Sequence, residues 1–252
     1  MGVTTTDRPW QDAVLAVLGL VLPIACAGCG APDRALCSAC RTALDREPRR
    51  VRLVAGVRLD AGFEYGGLVR TLLLELKLRG RVDLARPLGT RFGALVRAAL
   101  AEAPAGTLLL RVPPSPQGAR RRGFDPVVLL LARGGVRRPR SLRRVRRPPP
   151  PRRVCPPTDD APATPASPRG PARGGPAHRP AHRPGHGQKE RSAVERVAAT
   201  VGTLRADGVA GKDVVVLDDV VTTGVTMAEA VRAVRAAGGR VVRCVAVASV
   251  DE

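Results

Sequence analysis

Two carboxylates and a run of small hydroxyl side chains lie close together near the end of the chain. The stretch VVVLDDVVTTGVTMAEA, Val214 to Ala230, opens with four apolar residues, which read as a strand buried on both faces. Asp218 and Asp219 arrive at its carboxyl end, where open α/β sheets bind ligands. Thr222, Thr223, Gly224, Val225 and Thr226 then form a small loop at the start of a helix. Backbone N–H groups in such a loop, helped by the helix dipole, cradle a phosphate, and Gly224 lets the backbone come close. Paired acids would repel a bare phosphate. They suit a ribose phosphate, whose vicinal hydroxyls donate to the carboxylates while the amides hold the 5′-phosphate. The alternative is a strand, turn and capped helix with solvated acids.

A second constellation is Cys26-x2-Cys29-x7-Cys37-x2-Cys40. Each pair grips an ion from a tight knuckle, and two knuckles complete a tetrahedral thiolate site. Four sulfurs leave no open position, so the ion would be structural Zn²⁺; an iron–sulfur site or free thiols are the alternatives. Gly28 and Gly30 relax the first knuckle. Cys244 reads as packing and Cys155 as incidental. The paired spacing points to metal rather than disulfides and to a reducing cytoplasm.

A third is basic. In RVPPSPQGARRRGFDPVVLLLA, Arg111 to Ala132, Arg120, Arg121, Arg122 and Gly123 form a loop of rigid donor forks suited to anionic oxygens, or a solvated basic turn. Lys77 on its helix face reads as a solvated side chain or as one that reaches phosphate.

The run from Val214 to Thr226 resembles the phosphoribosyl-diphosphate (PRPP) signature of type I phosphoribosyltransferases without a departure. The resemblance implies that Asp218 and Asp219 bind the ribose hydroxyls, that Thr222 to Thr226 hold the 5′-phosphate, that Arg120 to Gly123 form the diphosphate loop, and that Mg²⁺ rides on PRPP. A four-cysteine module ahead of that signature, with LPIACAGCG, LCSACR and the stretch around Tyr65, Lys77 and Gly80, is similar to the ComF family of phosphoribosyltransferase-like proteins, associated with competence and DNA uptake. The similarity covers residues 10–132 and 188–250. Ala199 and Arg191 depart from it, standing where the family has Asn and Leu. No residue can be named as general base, and the acceptor stays unidentified.

These groups need elements to position them. The patterning predicts helices over Trp10–Leu22, Gly67–Arg79, Leu84–Ala103, Phe124–Ala132, Ser192–Ala206 and Met227–Ala237. It predicts strand and turn over Val51–Glu64, and strands over Thr107–Val112, Val214–Leu217 and Arg240–Val250. Arg41–Arg50 reads as a charged connector. Strand, helix and strand at the end form a β-α-β unit, hence a parallel sheet. The expected architecture is an α/β, type I phosphoribosyltransferase-like parallel sheet with helices on both faces and a small N-terminal zinc knuckle. Residues 1–50 make the metal module and 51–252 the second domain.

Composition bounds the rest. Aromatics are 2% of the 252 residues, so a core must be built from Val, Leu and Ala. The net charge is +20, which points to an anionic partner. Residues 133–187 hold fourteen Arg against Asp159 and Asp160, a net of +12, with one Leu and no Ile or aromatic residue. Nothing there buries a face, so the tract is expected to lack stable structure, as a genuine insertion or as out-of-frame translation of GC-rich codons. His178, His182 and His186 within it are separated by Pro180 and Pro184, which forbid a regular helix. The apolar stretch Ala13–Ala25 is too short to span a bilayer, and no membrane insertion is expected. Two further readings stand beside an enzyme: a single-stranded DNA-binding competence factor, with only Trp10, Phe63, Tyr65, Phe92 and Phe124 to stack on bases, or a degenerate product that folds poorly.

Overall fold

A strand that is apolar over Val214–Leu217 must be covered on both sides. The computed structural model, which describes residues 24–145 and 200–250, places these residues inside the strand Asp213–Val221. Val214 and Val216 pack into one apolar cluster and Val215 and Leu217 into a second, as the two-residue period of a strand requires.

In chain order the described elements are α1 (Ser38–Arg46), β1 (Arg50–Val54), β2 (Val57–Glu64), α2 (Gly67–Leu78), a 3-10 turn (Val82–Leu84), α3 (Ala85–Ala101), β3 (Leu108–Arg111), α4 (Pro116–Arg122), α5 (Pro126–Arg133), β4 (Arg140–Ser141), β5 (Arg143–Arg144), β6 (Leu204–Arg205), β7 (Asp213–Val221), α6 (Val225–Ala236) and β8 (Arg240–Ser249). The main sheet runs β1-β2-β8-β7-β3-β4. Every pairing in it is parallel except β1 with β2. β5 and β6 form a separate antiparallel pair.

Leu72, Leu73 and Leu76 of α2, Leu88 and Phe92 of α3 and Leu130 and Leu131 of α5 join the cluster under Val215 and Leu217. Met227, Val231 and Val234 of α6 join the other. Helices therefore cover both faces, and the fold is the α/β sheet of a phosphoribosyltransferase-like protein. The antiparallel edge is the departure from a fully parallel sheet. Its cause is the two-residue turn Ala55-Gly56, with φ of 50° and 74°, as a type I′ hairpin requires.

The other helices and strands expected among the described residues lie within two residues of their predicted ends, save that β7 runs on to Val221. Four readings are corrected. Arg41–Arg50 is mostly helix: Cys37 caps α1, its Sγ accepting from the Cys40 N–H at 3.4 Å. The basic loop is α4, started by Ser115, whose Oγ accepts from the Gly118 N–H at 3.1 Å, and by Pro116 at the first helical position, a start signal that the sequence carried. The first residues of the Pro/Arg tract are folded. β4 pairs with β3 and the tract's one Leu, Leu142, is buried. Finally, no helix extends to Ala206; Leu204 and Arg205 are strand. The expected helix Trp10–Leu22, residues 192–199, Cys155 and the three histidines lie outside the described residues.

Candidate functional site

β7 carries Asp218 and Asp219 toward its carboxyl end. Asp218 Oδ1 accepts the Asp219 N–H at 2.8 Å, and Asp219 Oδ1 accepts the Val220 N–H at 2.7 Å. Asp219 Oδ2 pairs with Lys77 Nζ at 2.9 Å. Lys77 lies in the last turn of α2, one helical turn beyond the buried Leu73. That i+4 spacing was the signal that it points inward rather than to solvent. Burial and then the negative charge of Asp219 push the Asp218 carboxyl up to about 8, against the pull of the Asp219 N–H, Lys77 and Arg144.

Four residues on, Thr222 and Thr223 are exposed and Gly224 is buried. Gly224 is the N-cap of α6 with φ 73°, and no side chain caps the helix. A left-handed residue here turns the chain from strand to helix within three positions, which is why glycine fits. Val225 begins the helix, and Thr226 follows. Asp218 and the residues from Val220 through Met227 line a cavity of about 30 Å³. β1 braces this loop from outside: Arg52 Nη2 donates to the Thr222 carbonyl at 2.7 Å. Nothing in the sequence pattern of Val51–Glu64 indicated that contact.

A larger cavity of about 240 Å³ adjoins it. Asp218, Asp219 and Thr226 form one side, and Pro113, Pro114 and Ser115 continue from β3. Arg122, Asp125 and Arg144 also line it. Of the predicted basic residues the structure brings Arg122 here. Arg120 and Arg121 are exposed on α4, and Gly123 ends that helix with φ 72°. Arg122 Nε is buried without a hydrogen-bond partner. Asp125 is committed to structure: its Oδ1 caps α5 through the N–H groups of Val127 and Val128, and its Oδ2 faces Arg111 at 3.3 Å. Arg144, which sequence reasoning placed in unstructured chain, donates from Nε to the Pro114 carbonyl at 3.2 Å and from Nη2 to the Pro113 carbonyl at 2.9 Å. Its signal was local: one apolar residue, Leu142, between polar Ser141 and Arg143 is the pattern of a short strand.

Two of the aromatic residues proposed to stack on bases are unavailable, since Phe63 and Phe92 are core residues. No helix among the described residues is long and apolar enough to cross a membrane.

The Sγ atoms of Cys26, Cys29, Cys37 and Cys40 all lie within 4.8 Å of one another, and Cys29 and Cys37 are 3.6 Å apart. Zn–S bonds of about 2.3 Å in a tetrahedron separate sulfurs by about 3.8 Å, so the donor set fits Zn²⁺. The Cys37 N–H donates to Cys26 Sγ at 3.3 Å. Burial raises the Cys26 thiol, but the N–H groups of Cys37, Cys29 and Gly28 and the Cys29 thiol outweigh it and bring it down to about 6. Burial and the three neighbouring cysteines drive Cys40 up to about 12; a cation among the sulfurs relieves that crowding. Gly28 serves by its size: a Cβ there would lie 2.7 Å from Cys40 Sγ. The module shares its core with the rest of the fold, Cys26, Leu36 and Leu44 packing in the cluster of Val69 and Leu72, and Arg81 ties it down by donating to the Ala25 carbonyl at 3.1 Å.

Residues 182–252 match the family model described as phosphoribosyl transferase domain. No curated protein matches the chain. The match and the cysteine cluster together support a phosphoribosyltransferase-like protein that binds PRPP and carries a metal-binding module.

Proposed function

We propose that the protein transfers ribose 5-phosphate from PRPP to a nucleophilic acceptor. One observation carries this reading: a carboxylate pair in β7 is joined directly to a left-handed glycine cap on α6, beside a cavity containing Arg122. Asp218 and Asp219 would receive the ribose hydroxyls. Thr222, Thr223, Gly224, Val225 and Thr226 would hold the 5′-phosphate at the helix N-terminus. Arg122, from the predicted diphosphate loop Arg120–Gly123, would meet the diphosphate. In the transfer the C1–O bond to diphosphate breaks, a bond from C1 to the acceptor forms, and the acceptor's proton leaves. Catalysis here is positioning and electrostatic stabilisation of the departing diphosphate. Mg²⁺ bound with PRPP would neutralise diphosphate charge, the ribose and diphosphate oxygens supplying its ligands.

We read residues 1–50 as a zinc module and 51–252 as the phosphoribosyltransferase-like domain interrupted within 133–187, and place the protein in the cytoplasm. The similarity to the ComF family adds a role in competence. The deciding experiment is calorimetric titration of the full chain with Mg²⁺–PRPP beside the Asp218→Asn, Asp219→Asn double variant. Binding that the variant loses supports the site. A folded wild-type chain that does not bind refutes it.

A second reading, a single-stranded DNA-binding competence factor, is favoured by the exposed Arg120, Arg121, Arg137, Arg138 and Arg140. DNA binding with a steep salt dependence that survives the double variant would select it.

A further inference from the structure

The hairpin of β1 and β2 is tied to α6 at both ends of that helix. Arg235, in the last turn of α6, donates from Nη1 to the carbonyl of Ala55 in the hairpin turn at 3.1 Å. At the other end Arg52 Nη2 donates to the Thr222 carbonyl at 2.7 Å, two residues before the cap Gly224. Between these ties Val54 packs in the cluster that holds Met227 and Val231. The strand that carries Arg52 is therefore fixed in place against α6, although it lies 170 residues before Thr222 in the chain.

A trans peptide is planar, and its C=O and N–H point in opposite directions. No peptide bond among the described residues is cis. Holding the Thr222 carbonyl toward Arg52 therefore turns the Thr223 N–H away from Arg52. Thr222, Thr223 and Gly224 line the 30 Å³ cavity, and Arg52 does not. Arg52 also brings a cation to the start of α6: its Nη2 lies 3.4 Å from where a Cβ on Gly224 would be. The helix dipole is already positive there, so the two fields add in favour of an anion.

We propose that Arg52 is a positioning residue for the 5′-phosphate: from the β1–β2 hairpin it sets the Thr222–Thr223 peptide so that the Thr223 N–H is presented to the cavity, and it adds positive charge at the start of α6. This rests on the PRPP reading given above and extends it to a residue far outside Val214–Ala230. The test is calorimetric titration of the full chain, Arg52→Met and Arg52→Lys with ribose 5-phosphate, Mg²⁺–PRPP and inorganic pyrophosphate, with melting temperatures measured alongside. Arg52→Met keeps the apolar stem and loses donor and charge. It should weaken ribose 5-phosphate and PRPP by the same factor, roughly 5- to 30-fold, the scale of one hydrogen bond, with pyrophosphate changed by less than about two-fold. Arg52→Lys should recover most of the loss, because the contact is a single donor to a carbonyl and not a bidentate fork. A merely structural role would lower the melting temperature without this ligand selectivity or this rescue. Wild-type ribose 5-phosphate affinity in Arg52→Met, or an equal loss for pyrophosphate, would overturn the assignment. If Arg52→Met does not fold, Arg52→Gln, uncharged and shorter in reach, carries the same test with the same outcomes. Failure of the wild-type chain to bind either sugar phosphate would instead overturn the PRPP reading, and the role of Arg52 with it.

Discussion

Lys77 Nζ lies 2.9 Å from Asp219 Oδ2, with side chains 18% and 22% exposed. The pair joins the last turn of α2 to the acidic end of β7 and gives the two adjacent aspartates different surroundings. Asp219 has a cation at contact distance. Asp218 has the Asp219 charge, its N–H and a more distant Lys77 and Arg144.

Removing the lysine leaves a carboxylate pair short of its nearest positive charge. Lys77→Met is expected to destabilise the ligand-free protein by about 1–3 kcal/mol, the scale for orphaning a part-buried charged group. Adding Asp219→Asn should recover part of the loss. Urea denaturation of the two single variants and the double gives the coupling energy directly; additive losses would show that the pair contributes nothing.

The Asp218 carboxyl, raised to about 8, fixes a direction for pH dependence. An unfolded aspartate titrates near 3.9, so between about pH 4 and 8 the folded chain binds more protons at this residue than the unfolded chain does. Stability contributed by Asp218 is thus present below pH 4 and is lost as pH rises through 8. Asp218→Asn should remove that slope, so its stability gain over wild type is larger at pH 8 than at pH 5. Parallel stability curves for the two proteins across that range would contradict the assignment.

Gly224 is left-handed, and a Cβ on it would point at Arg52 Nη2 from 3.4 Å. Gly224→Ala should cost about 1–2 kcal/mol of stability, the strain of a left-handed alanine. It should also weaken PRPP and ribose 5-phosphate alike, since under the proposed function both would present a 5′-phosphate to this loop. Selective loss for PRPP would place the 5′-phosphate elsewhere.

The cysteine cluster should bind one zinc per chain, read by elemental analysis. Because Cys26, Leu36 and Leu44 belong to the core that holds Val69 and Leu72, chelation should lower the temperature of the main unfolding transition and not merely release a separate module. Gly28→Ala, which forces a methyl toward Cys40 Sγ, should reduce zinc retention under a competing chelator. A chelated protein with an unchanged transition would show the metal to be dispensable.

Much of this was legible in the chain. Val214–Leu217 announced a strand buried on both faces because four apolar residues in a row cannot alternate with solvent. Asp218, Asp219 and Gly224 marked a candidate site because an acid pair beside a glycine-turned helix start suits few ligands. The spacing of Cys26, Cys29, Cys37 and Cys40 announced the cluster of four thiols. All three are local signals, read within twenty residues of chain. The partners of Lys77, Arg144 and Arg52 were not legible so, because they lie in distant segments: Asp219, the Pro113 and Pro114 carbonyls, and Thr222. The choice of Arg122 over Arg120 and Arg121 was equally hidden. On a helix these three point in different directions, and the identity of the inward one depends on how α4 is turned relative to the cavity.

The amino-acid sequence by itself thus determined the chemistry on offer: the acid pair, the glycine-turned hydroxyl loop and the four thiols, each set by residue type and short spacing. The tertiary structure alone decided how that chemistry is compensated. It brought α2, β1 and the β5–β6 ribbon to the end of β7, because charges on distant segments meet only where the sheet order and helix packing place them.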